Sequence, residues 1–539
     1  MTNVVSVVIA LAMLLRAGGG DAGDAEKPWV SLDATGKLVY RTDAQGNRIP
    51  DFSHVGYETG IVPLPGTPGG AVVPVKITLK PASGDQTARI QKALDDVAKL
   101  PVDAKGFRGA VLLKRGQYEV SGKLLLRASG VVLRGEGSSL ENGTVVRDTG
   151  KDKEPLIVIS GSGKPEMAAK AHRVTDSYVP VGATTLTLDG TAGLKVGDTV
   201  LVERASTAEW IHFIGADKPG IDWPVTFPVV RWDRVITAIK GKAISLDAPI
   251  TTAIESKYGG ATVTKYAWPG RIDHVGVEHL VGFSNHVSPT DEDHAWTFIQ
   301  VAAAQHVFVH DILGQHFAYA AVHITPSAKW VTVQDGVCLD PISLVAGARR
   351  YSFCLDGQLC LVRDCHARHG RHDFVANNYI VTGPNVFLDC KAEKAISEMG
   401  PHRHWTNGML FDNNVTSDRI SLYHRRNYGR KESKPPYHLG HGWASANCVA
   451  WNCTIGGLLL VDSPPGATNW AIGCKSREDK GNGQFESRQK PVAIRSLYEA
   501  QLAERKANGA GHGSRTMNQI GGPPSNTRNS RTTVKPLRP

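Results

Sequence analysis

The chain reads Cys-Leu-Val-Arg-Asp-Cys at 360–365 and Asn-Val-Phe-Leu-Asp-Cys at 385–390. This short apolar run recurs at 307–311, 331–335, 409–413, 448–453 and 470–474, and most copies end in Asp or Asn, usually followed by a small residue. Most copies stand roughly 21–29 residues apart, which is the spacing of a repeat array. Each copy is too short to bury its own apolar face, so neighbouring copies must stack to complete a core.

The composition of the repeat favours strands over helices. Val, Ile, Phe and Leu fill the runs, and Gly, Asn, Asp and Pro flank them. Three short strands and three turns use up about one repeat length at roughly 3.3 Å per residue. A helical repeat would need a sustained helical period, and a leucine-rich repeat would need a Leu skeleton, and neither is present. We therefore predict an all-β fold, a parallel β-helix.

Equivalent residues on successive coils of such a helix lie about 4.8 Å apart. We expect one interior column of cysteines: Cys365, Cys390, Cys453 and Cys474. We expect a second column at the adjoining turn: Asp335, Asp364, Asp389, Asp412 and Asn452. No Cys-x-x-Cys zinc pattern appears, so the eight cysteines are predicted to be buried free thiols, with a Cys354–Cys360 disulfide as the alternative.

The chain divides into five predicted segments. Residues 1–24 have the layout of a signal peptide, because the apolar run at 4–15 is too short to span a bilayer. Residues 25–171 hold an N-terminal segment, a capping helix and the first coils, and 172–265 a small inserted antiparallel β domain. Residues 266–485 form the main β-helix with active-site loops, and 486–539 a basic, mostly disordered tail. We predict a secreted or periplasmic protein without a membrane span.

A helix is predicted over residues 85–100. Asp85 or Thr87 can cap it, and its apolar face consists of Ile90, Ala93, Leu94 and Val97. A helix just before the first strands covers the open end of a solenoid, whose free strand edge would otherwise invite pairing.

The same region carries a resemblance to a known family. Its motifs are Gly-Asp-Gln-Thr-Ala-Arg-Ile-Gln-Lys-Ala-Leu at 84–94, Gly-Ala-Val-Leu-Leu at 109–113, Gly-Gln-Tyr at 116–118 and Gly-Val-Val-Leu-Arg-Gly-Glu-Gly at 130–137. Together they resemble the N-terminal part of the pectate-lyase-like superfamily, which implies a right-handed parallel β-helix. The resemblance covers about residues 75–150 in detail and 266–475 more loosely. It implies a fold rather than one activity, because lyases, glycoside hydrolases, epimerases and phage tailspikes share this start.

The net charge of +10 suits a polyanionic partner. Acidic polysaccharide, nucleic acid and an anionic surface all fit that charge, although part of it lies in the tail. We expect an acidic polysaccharide or oligosaccharide as substrate, no nucleic acid, and a monomeric protein.

Three clusters of chemically useful side chains stand in the repeat region, at 291–296, 368–373 and 400–405, with an echo at 440–443. Counting back from the next copy of the repeat places 400–405 and 440–443 on similar parts of neighbouring coils. The predicted catalytic residues are His402, Arg403, His404, His372 and Arg371. The predicted substrate-binding residues are Trp405, His441, Trp443, Tyr423, His294 and Arg368. Asp291, Glu292 and Asp293 are candidate Ca²⁺ ligands, because hard cations prefer carboxylates, and the resemblance includes lyases that use calcium.

These residue types suit β-elimination on a uronic-acid polymer. The reaction requires Arg to hold the carboxylate, His to accept the C5 proton, and Tyr, His or water to protonate the leaving oxygen. A glycoside hydrolase on the same fold is the first alternative, with Asp291, Glu292, Asp373 and Asp412 as available carboxyls. A non-catalytic glycan-binding β-helix is the second alternative.

Overall fold

The structure is a computed structural model that describes residues 27–225, 229–425 and 440–510. The predicted leader at residues 1–24 and the tail from residue 511 lie outside these ranges. Across the described ranges, no helix combines the length and the apolar character needed to cross a membrane.

The N-terminal part contains a hairpin, a helix and the first coils. Its elements are β1 (Val30–Leu32), β2 (Leu38–Tyr40), β3 (Val75–Leu79), α1 (Thr87–Ala98), β4 (Gly109–Leu113), β5 (Gly116–Val120), β6 (Leu124–Leu126), β7 (Val131–Arg134), β8 (Thr144–Asp148) and β9 (Pro155–Ser160). Short 3-10 helices stand at Tyr57–Gly60 and Ser256–Tyr258.

An antiparallel sheet is inserted after β9. Its elements are β10 (Glu166–Arg173), β11 (Tyr178–Val179), β12 (Thr185–Thr187), β13 (Thr199–Arg204), α2 (Ala208–Phe213), β14 (Val230–Lys240), β15 (Ala243–Leu246), β16 (Ile254–Glu255) and β17 (Ala261–Ala267). The six-stranded order is β10-β17-β13-β14-β15-β12.

The remaining elements form the main coils and a C-terminal helix. They are β18 (Ile272–Ser284), β19 (Thr297–Ala302), β20 (Ala304–Gln315), β21 (Ala320–Ile324), β22 (Lys329–Leu339), β23 (Phe353–Leu355), β24 (Leu361–Arg363), β25 (His366–Arg368), β26 (Phe374–Ala376), β27 (Thr382–Leu388), β28 (Lys391–Glu393), β29 (Gly400–Pro401), β30 (Thr406–Asp412), β31 (Val415–Thr416), β32 (Ile420–Leu422), β33 (His424–Arg425), β34 (Gly442–Trp443), β35 (Ser445–Ala446), β36 (Val449–Trp451), β37 (Thr454–Ile455), β38 (Leu458–Val461), β39 (Trp470–Ile472), β40 (Glu478–Lys480), β41 (Gln484–Glu486) and α3 (Leu497–Ala510).

The strands of the coils pair in parallel, as a β-helix requires. A first face follows β4, β7, β18, β20, β22, β24, β27, β30, β36 and β39, and a second follows β5, β8, β18, β20, β22, β25, β28, β31 and β37. A third face has the order β29-β26-β23-β21-β19-β9-β6. The all-β parallel β-helix is therefore confirmed. The ladder also passes over the insertion, because β9 pairs directly with β19.

The corner between the first two faces is built from left-handed residues. Positive φ angles of 49–53° occur at equivalent places on successive coils: Asp311, Asp335, Asp364, Asp389, Asn413 and Asn452. Asp and Asn tolerate this conformation better than other non-glycine residues. The predicted turn column is confirmed except for Asp412, which is buried in β30, and Asn413 takes the left-handed position instead.

All eight cysteines are free and buried, as predicted. The residue after each corner points inward, which places Cys365 beside Cys390 and Cys453 beside Cys474 on successive coils. Asn414 separates the two pairs. Its Oδ1 accepts the Cys390 amide at 2.7 Å and its Nδ2 donates to the Phe387 carbonyl at 2.9 Å. The predicted single column of four cysteines is therefore two pairs with Asn414 between them, and the buried amide of Asn414 is satisfied by hydrogen bonds to the backbone.

Helix α1 covers the first coil. It buries Ile90, Ala93, Leu94 and Val97, the four residues of the predicted apolar face. Its N-cap position is Gln86, which makes no side-chain capping bond. The capping prediction was wrong in that detail. Asp85 lies one residue earlier and accepts the Thr87 amide at 3.1 Å.

Candidate functional site

The third face of the β-helix gathers polar side chains on its outer side. Alternate residues of a strand point to opposite sides of a sheet, and neighbouring coils repeat about every 4.8 Å. His372 precedes β26 and His402 follows β29, which pair in parallel. The His402 amide extends the ladder by donating to the Ala376 carbonyl at 2.8 Å. The coil therefore brings two predicted catalytic histidines together.

His372 and His402 converge on Glu398. Nδ1 of His402 lies 3.3 Å from Glu398 Oε1, and Nδ1 of His372 lies 3.6 Å from the same oxygen. Nδ1 of His372 is also 3.0 Å from the Glu398 backbone carbonyl. The three residues are at most 5% exposed. A carboxylate at Nδ1 sets the tautomer and orientation of a histidine, which suits a base that acts through Nε2.

Glu398 was missed by the sequence prediction. It lies two residues before the cluster at 400–405 and was not counted with it. Ser397 Oγ donates to its second oxygen, Oε2. The only signal in the sequence is its position four residues before His402. That spacing shows that two side chains lie close together only once the backbone conformation between them is known.

Two phenols adjoin the histidines. The hydroxyl of Tyr423, a predicted binding residue, donates to Glu398 Oε1 at 3.2 Å. The ring of Tyr351 lies 5.0 Å from that of His372 and 5.6 Å from that of His402. Burial raises the pKa of Tyr351, and the nearby Arg371 offsets this only in part. The Tyr351 phenol therefore stays protonated at neutral pH and can donate a proton.

Both predicted catalytic arginines lie half-buried beside tyrosines. Nη1 of Arg371 donates to the Tyr351 hydroxyl at 3.1 Å. The guanidinium of Arg403 lies 4.4 Å from the ring centre of Tyr379. A guanidinium held against an aromatic face keeps its planar fork of donors, which matches a carboxylate.

His404 occupies a deeper position than the other histidines. It is fully buried, and its ring lies 5.1 Å from that of Tyr379 and 5.8 Å from that of His441. Burial, followed by the charge of Arg403, lowers the pKa of His404 to about 2. A base this weak accepts no proton at neutral pH, so we do not assign His404 the catalytic role predicted from the sequence. His441 lies closer to the site, with its ring 5.4 Å from that of His402.

The predicted sugar-stacking tryptophans face the inserted domain. Trp405 is 1% exposed, its Nε1 donates to Thr252 at 3.1 Å, and its ring meets Trp210 edge-on at 5.0 Å. Trp443 is half-buried, and its Nε1 donates to the Ile214 carbonyl at 2.8 Å. Because Trp405 has no exposed face on which a sugar could stack, the substrate-binding role predicted for it is corrected.

His294 and Arg368 have structural partners. His294 is fully buried, with Nδ1 2.7 Å from the Ser284 hydroxyl and Nε2 3.1 Å from the Ile342 carbonyl. Arg368 makes a bidentate pair with Asp340 at 3.0 and 2.5 Å. The contacts of His294 use both of its ring nitrogens, so its predicted substrate-binding role is corrected. Arg368 keeps an exposed side chain beside Asp340, and its substrate-binding role stays a prediction.

The three candidate calcium ligands do not converge. Asp291 accepts the amides of Val287 and Asp293, both at 2.9 Å, which closes its own loop. Glu292 pairs with Arg349, and the side chain of Asp293 is 76% exposed. Within the described ranges these acids belong to no group whose donor atoms lie close enough for one ion. This arrangement gives the predicted Ca²⁺ site no support, and calcium binding there stays a prediction.

A second polar cluster lies on the same face and escaped the sequence prediction. His323 in β21 pairs directly with Cys354 in β23, and Asp356 follows two residues later on the same side. His323 Nε2 lies 3.2 Å from Asp356 Oδ2, and Cys354 Sγ lies 3.5 Å from the same oxygen. The Tyr319 hydroxyl donates to Cys354 Sγ at 3.3 Å. His323 and Cys354 are distant in the sequence and come together because their strands pair, so no local motif indicated the cluster.

No family model and no curated protein matches this chain. Among solved structures, the tailspike protein of E. coli bacteriophage HK620 in complex with pentasaccharide is 9% identical with a TM-score of 0.38, covering 85% of this chain and 64% of that one. The alginate lyase from Paenibacillus sp. str. FPU-7 is 9% identical with a TM-score of 0.32, covering 77% and 99%. ORF18 of Geobacillus virus E2 is 11% identical with a TM-score of 0.33, and this chain, matched over 77% of its own length, spans 60% of that protein. Similarities this low assign neither a family nor an activity.

Proposed function

We propose that this protein is a polysaccharide lyase that cleaves an acidic, uronic-acid-containing glycan by β-elimination. One observation carries the proposal. Nδ1 of His402 contacts the buried carboxylate of Glu398, and Nδ1 of His372 contacts the Glu398 backbone carbonyl and lies 3.6 Å from the same carboxylate, next to the protonated phenol of Tyr351. A positioned imidazole, a neutral phenol and a guanidinium are the three groups that this elimination needs.

The roles follow from the contacts. Arg371 or Arg403 would hold the uronate carboxylate through paired N–H groups, which lowers the cost of building negative charge at C5. His402 would accept the C5 proton at Nε2, the nitrogen on the far side of the ring from Glu398. The hydroxyl of Tyr351 would protonate the departing glycosidic oxygen. His372 would position Glu398 and thereby His402.

The shape of the fold supports a polymeric substrate. A glycan laid along the outer side of the third face would cross successive coils about every 4.8 Å, so several sugar units could bind while one is cleaved. The net charge of +10 favours an anionic chain. Such an enzyme would meet its polymer outside the cell, in agreement with the leader-like residues 1–24.

A glycoside hydrolase remains the second candidate, and one observation favours it. Asp356 and Glu398 are both buried carboxyls on this face, at 6% and 3% exposure. Asp356 lies opposite Asn377, and the next coil carries His402 at the same register. Hydrolysis needs one protonated and one ionised carboxyl about 5–9.5 Å apart across the scissile bond.

A product assay separates the two candidates. Purified full-length protein is incubated with a panel of uronate polymers, and both ultraviolet absorbance and new reducing ends are followed. A lyase gives absorbing unsaturated ends in step with reducing ends, whereas a hydrolase gives reducing ends alone. Reducing ends without absorbance on every polymer would overturn the lyase proposal, and neither signal on any polymer would favour a glycan-binding protein.

A further inference from the structure

We propose that His323, Cys354 and Asp356 form a binding site for Zn²⁺ on the outer side of the third face. The three donor atoms, Nε2, Sγ and a carboxylate oxygen, lie within 4.8 Å of one another. This site is separate from the elimination chemistry proposed above and does not depend on it.

The distances between the donors match a tetrahedral ion. Zinc binds His nitrogen at 2.0–2.1 Å, carboxylate oxygen at 2.0–2.2 Å and Cys sulfur at 2.3 Å, which places donors about 3.3–3.6 Å apart around a tetrahedron. The observed separations are 3.2 Å from His323 Nε2 to Asp356 Oδ2 and 3.5 Å from Cys354 Sγ to that oxygen. The third separation, between the His323 nitrogen and Cys354 Sγ, is within 4.8 Å, so these two side chains would close around a bound ion while Asp356 keeps its place.

The donors are held by strands rather than by a loop. His323 and Cys354 are register partners in β21 and β23, and the Asp356 amide continues the ladder by donating to Ile324 at 2.8 Å. Sites on paired strands are more rigid than sites on loops. A mixed nitrogen, sulfur and oxygen set selects zinc over calcium or magnesium, which prefer oxygen alone.

Neighbouring groups orient two of the ligands. Asp356 Oδ1, the oxygen turned away from the cluster, accepts the amides of Asn377 at 2.7 Å and Asn378 at 3.0 Å. The Tyr319 hydroxyl donates to Cys354 Sγ, a contact that stabilises a thiolate. The side chain of His323 is 19% exposed, which provides an access route for the ion. With three protein ligands, the fourth position would belong to water or substrate.

The ion would also change the charge of the cysteine. Burial, with the charge of Asp356 second, raises the pKa of the Cys354 thiol well above its ordinary value. Binding of Zn²⁺ displaces the thiol proton, because the thiolate is the ligand. Binding should therefore release a proton and weaken as the pH falls.

Metal binding by the full-length, tag-free protein tests the site. Zn²⁺ is titrated against a competing chelator, and Co²⁺ is used as a spectroscopic probe whose near-ultraviolet band reports a thiolate ligand. We expect about one equivalent of Zn²⁺, a thiolate–cobalt band, and at least a 100-fold loss of affinity in Cys354→Ser. Tyr319→Phe should weaken binding by roughly 10–100-fold, as loss of a ligand-orienting partner does.

The matched control is Cys448→Ser, which changes another buried thiol whose partners are backbone carbonyls at 3.5 Å. It should keep the wild-type affinity and the cobalt band. Asp356→Asn provides a second variant should Cys354→Ser fail to fold. Absence of binding, a cobalt spectrum without the thiolate band, or a band that survives in Cys354→Ser would each overturn the proposal. A spectrum without the thiolate band would place the metal at a site without cysteine, such as His372, Glu398 and His402. A band that survives in Cys354→Ser would place it at another cysteine.

Discussion

The centres of the imidazole rings of His372 and His402 lie 4.1 Å apart, on neighbouring coils of the β-helix. Nδ1 of His402 lies 3.3 Å from Oε1 of Glu398, whereas Nδ1 of His372 lies 3.0 Å from the Glu398 backbone carbonyl and 3.6 Å from the same Oε1. One carboxylate compensates one positive charge, so two protonated imidazoles at this distance would repel each other in a buried setting. The arrangement therefore favours one proton acceptor, and we assign that role to His402.

Removal of that acceptor should abolish most of the turnover. His402→Ala should lower kcat by about 10²–10⁴-fold, the range that general acid–base catalysis supplies, with little change in KM. Turnover is measured by the absorbance of unsaturated ends on the best polymer of the panel.

The control for this prediction is His212→Ala. The His212 side chain is 83% exposed in the inserted domain and pairs with Asp217. That variant should keep full activity. Full activity in a folded His402→Ala protein would refute the assignment.

The guanidinium fork of Arg371 should matter more than its charge alone. Arg371→Lys keeps one positive charge but loses paired donation to a carboxylate, which corresponds to about 1.5–3 kcal/mol, or roughly 10–150-fold in kcat/KM. Arg368→Lys is the matched control, because Arg368 already pairs with Asp340. The kcat/KM of both variants is measured by steady-state kinetics on the acidic polymer. Equal losses in Arg371→Lys and Arg368→Lys would contradict the assignment.

Asp233 should be essential for stability at the base of the inserted domain. Its carboxylate binds the buried Lys329 ammonium at 2.8 Å and the Arg271 guanidinium at 2.7 Å. Asp233→Asn leaves two buried cations without a counter-charge, which costs about 3–5 kcal/mol of unfolding free energy. Asp335→Asn, at a 48% exposed side chain, should change stability by under about 0.5 kcal/mol. Denaturant unfolding at pH 7 compares the two.

The same ion cluster has a defined pH dependence. Burial acts to raise the pKa of Asp233, but the charges of Lys329 and Arg271 outweigh it and hold that pKa well below its ordinary value. The carboxylate therefore contributes stability above its unfolded pKa of about 4 and loses that contribution as the pH falls further. As the pH falls below about 4, the free energy of unfolding should decrease more steeply for the wild type than for Asp233→Asn. Parallel pH dependences of the two proteins would contradict this account.

Asp412 should show the opposite pH dependence. Burial raises the pKa of Asp412 to about 7, although Oδ2 accepts the Ser496 hydroxyl at 2.7 Å and the Tyr498 amide at 2.9 Å. Because this pKa is raised in the folded protein, the contribution of Asp412 to the free energy of unfolding is fully present below the unfolded pKa of about 4. It is lost as the pH rises toward 7. Asp412→Asn keeps an oxygen for both bonds and removes the titration.

Thermal or denaturant unfolding at several pH values checks this prediction. Relative to wild type, Asp412→Asn should gain stability between pH 4 and pH 8, by up to about 4 kcal/mol at three units of pKa shift. Asp335→Asn is again the control and should follow the wild-type curve. A constant difference between wild type and Asp412→Asn across this range would contradict the prediction.

The coil could be predicted from the sequence, because it follows from patterns of residues that are close together in the chain. Alternation of apolar residues, a corner with Asp or Asn in the left-handed region, and a small residue after it recur in most coils between residues 331 and 453. The same reasoning missed the shift from Asp412 to Asn413, because two polar residues stand together there and only the register with Asn452 distinguishes them.

The sequence by itself determined the stacked coil, the capping helix, the buried thiols and the presence of His372 and His402 in one region. Only the tertiary structure decided which side chains face outward together. Glu398, His323, Cys354 and Asp356 enter their clusters through strand register across coils, and a displacement of one residue would turn each to the opposite side of the sheet. Trp405 and His404 left the candidate site for a related reason: contacts with the inserted domain buried them, and no local pattern records such contacts.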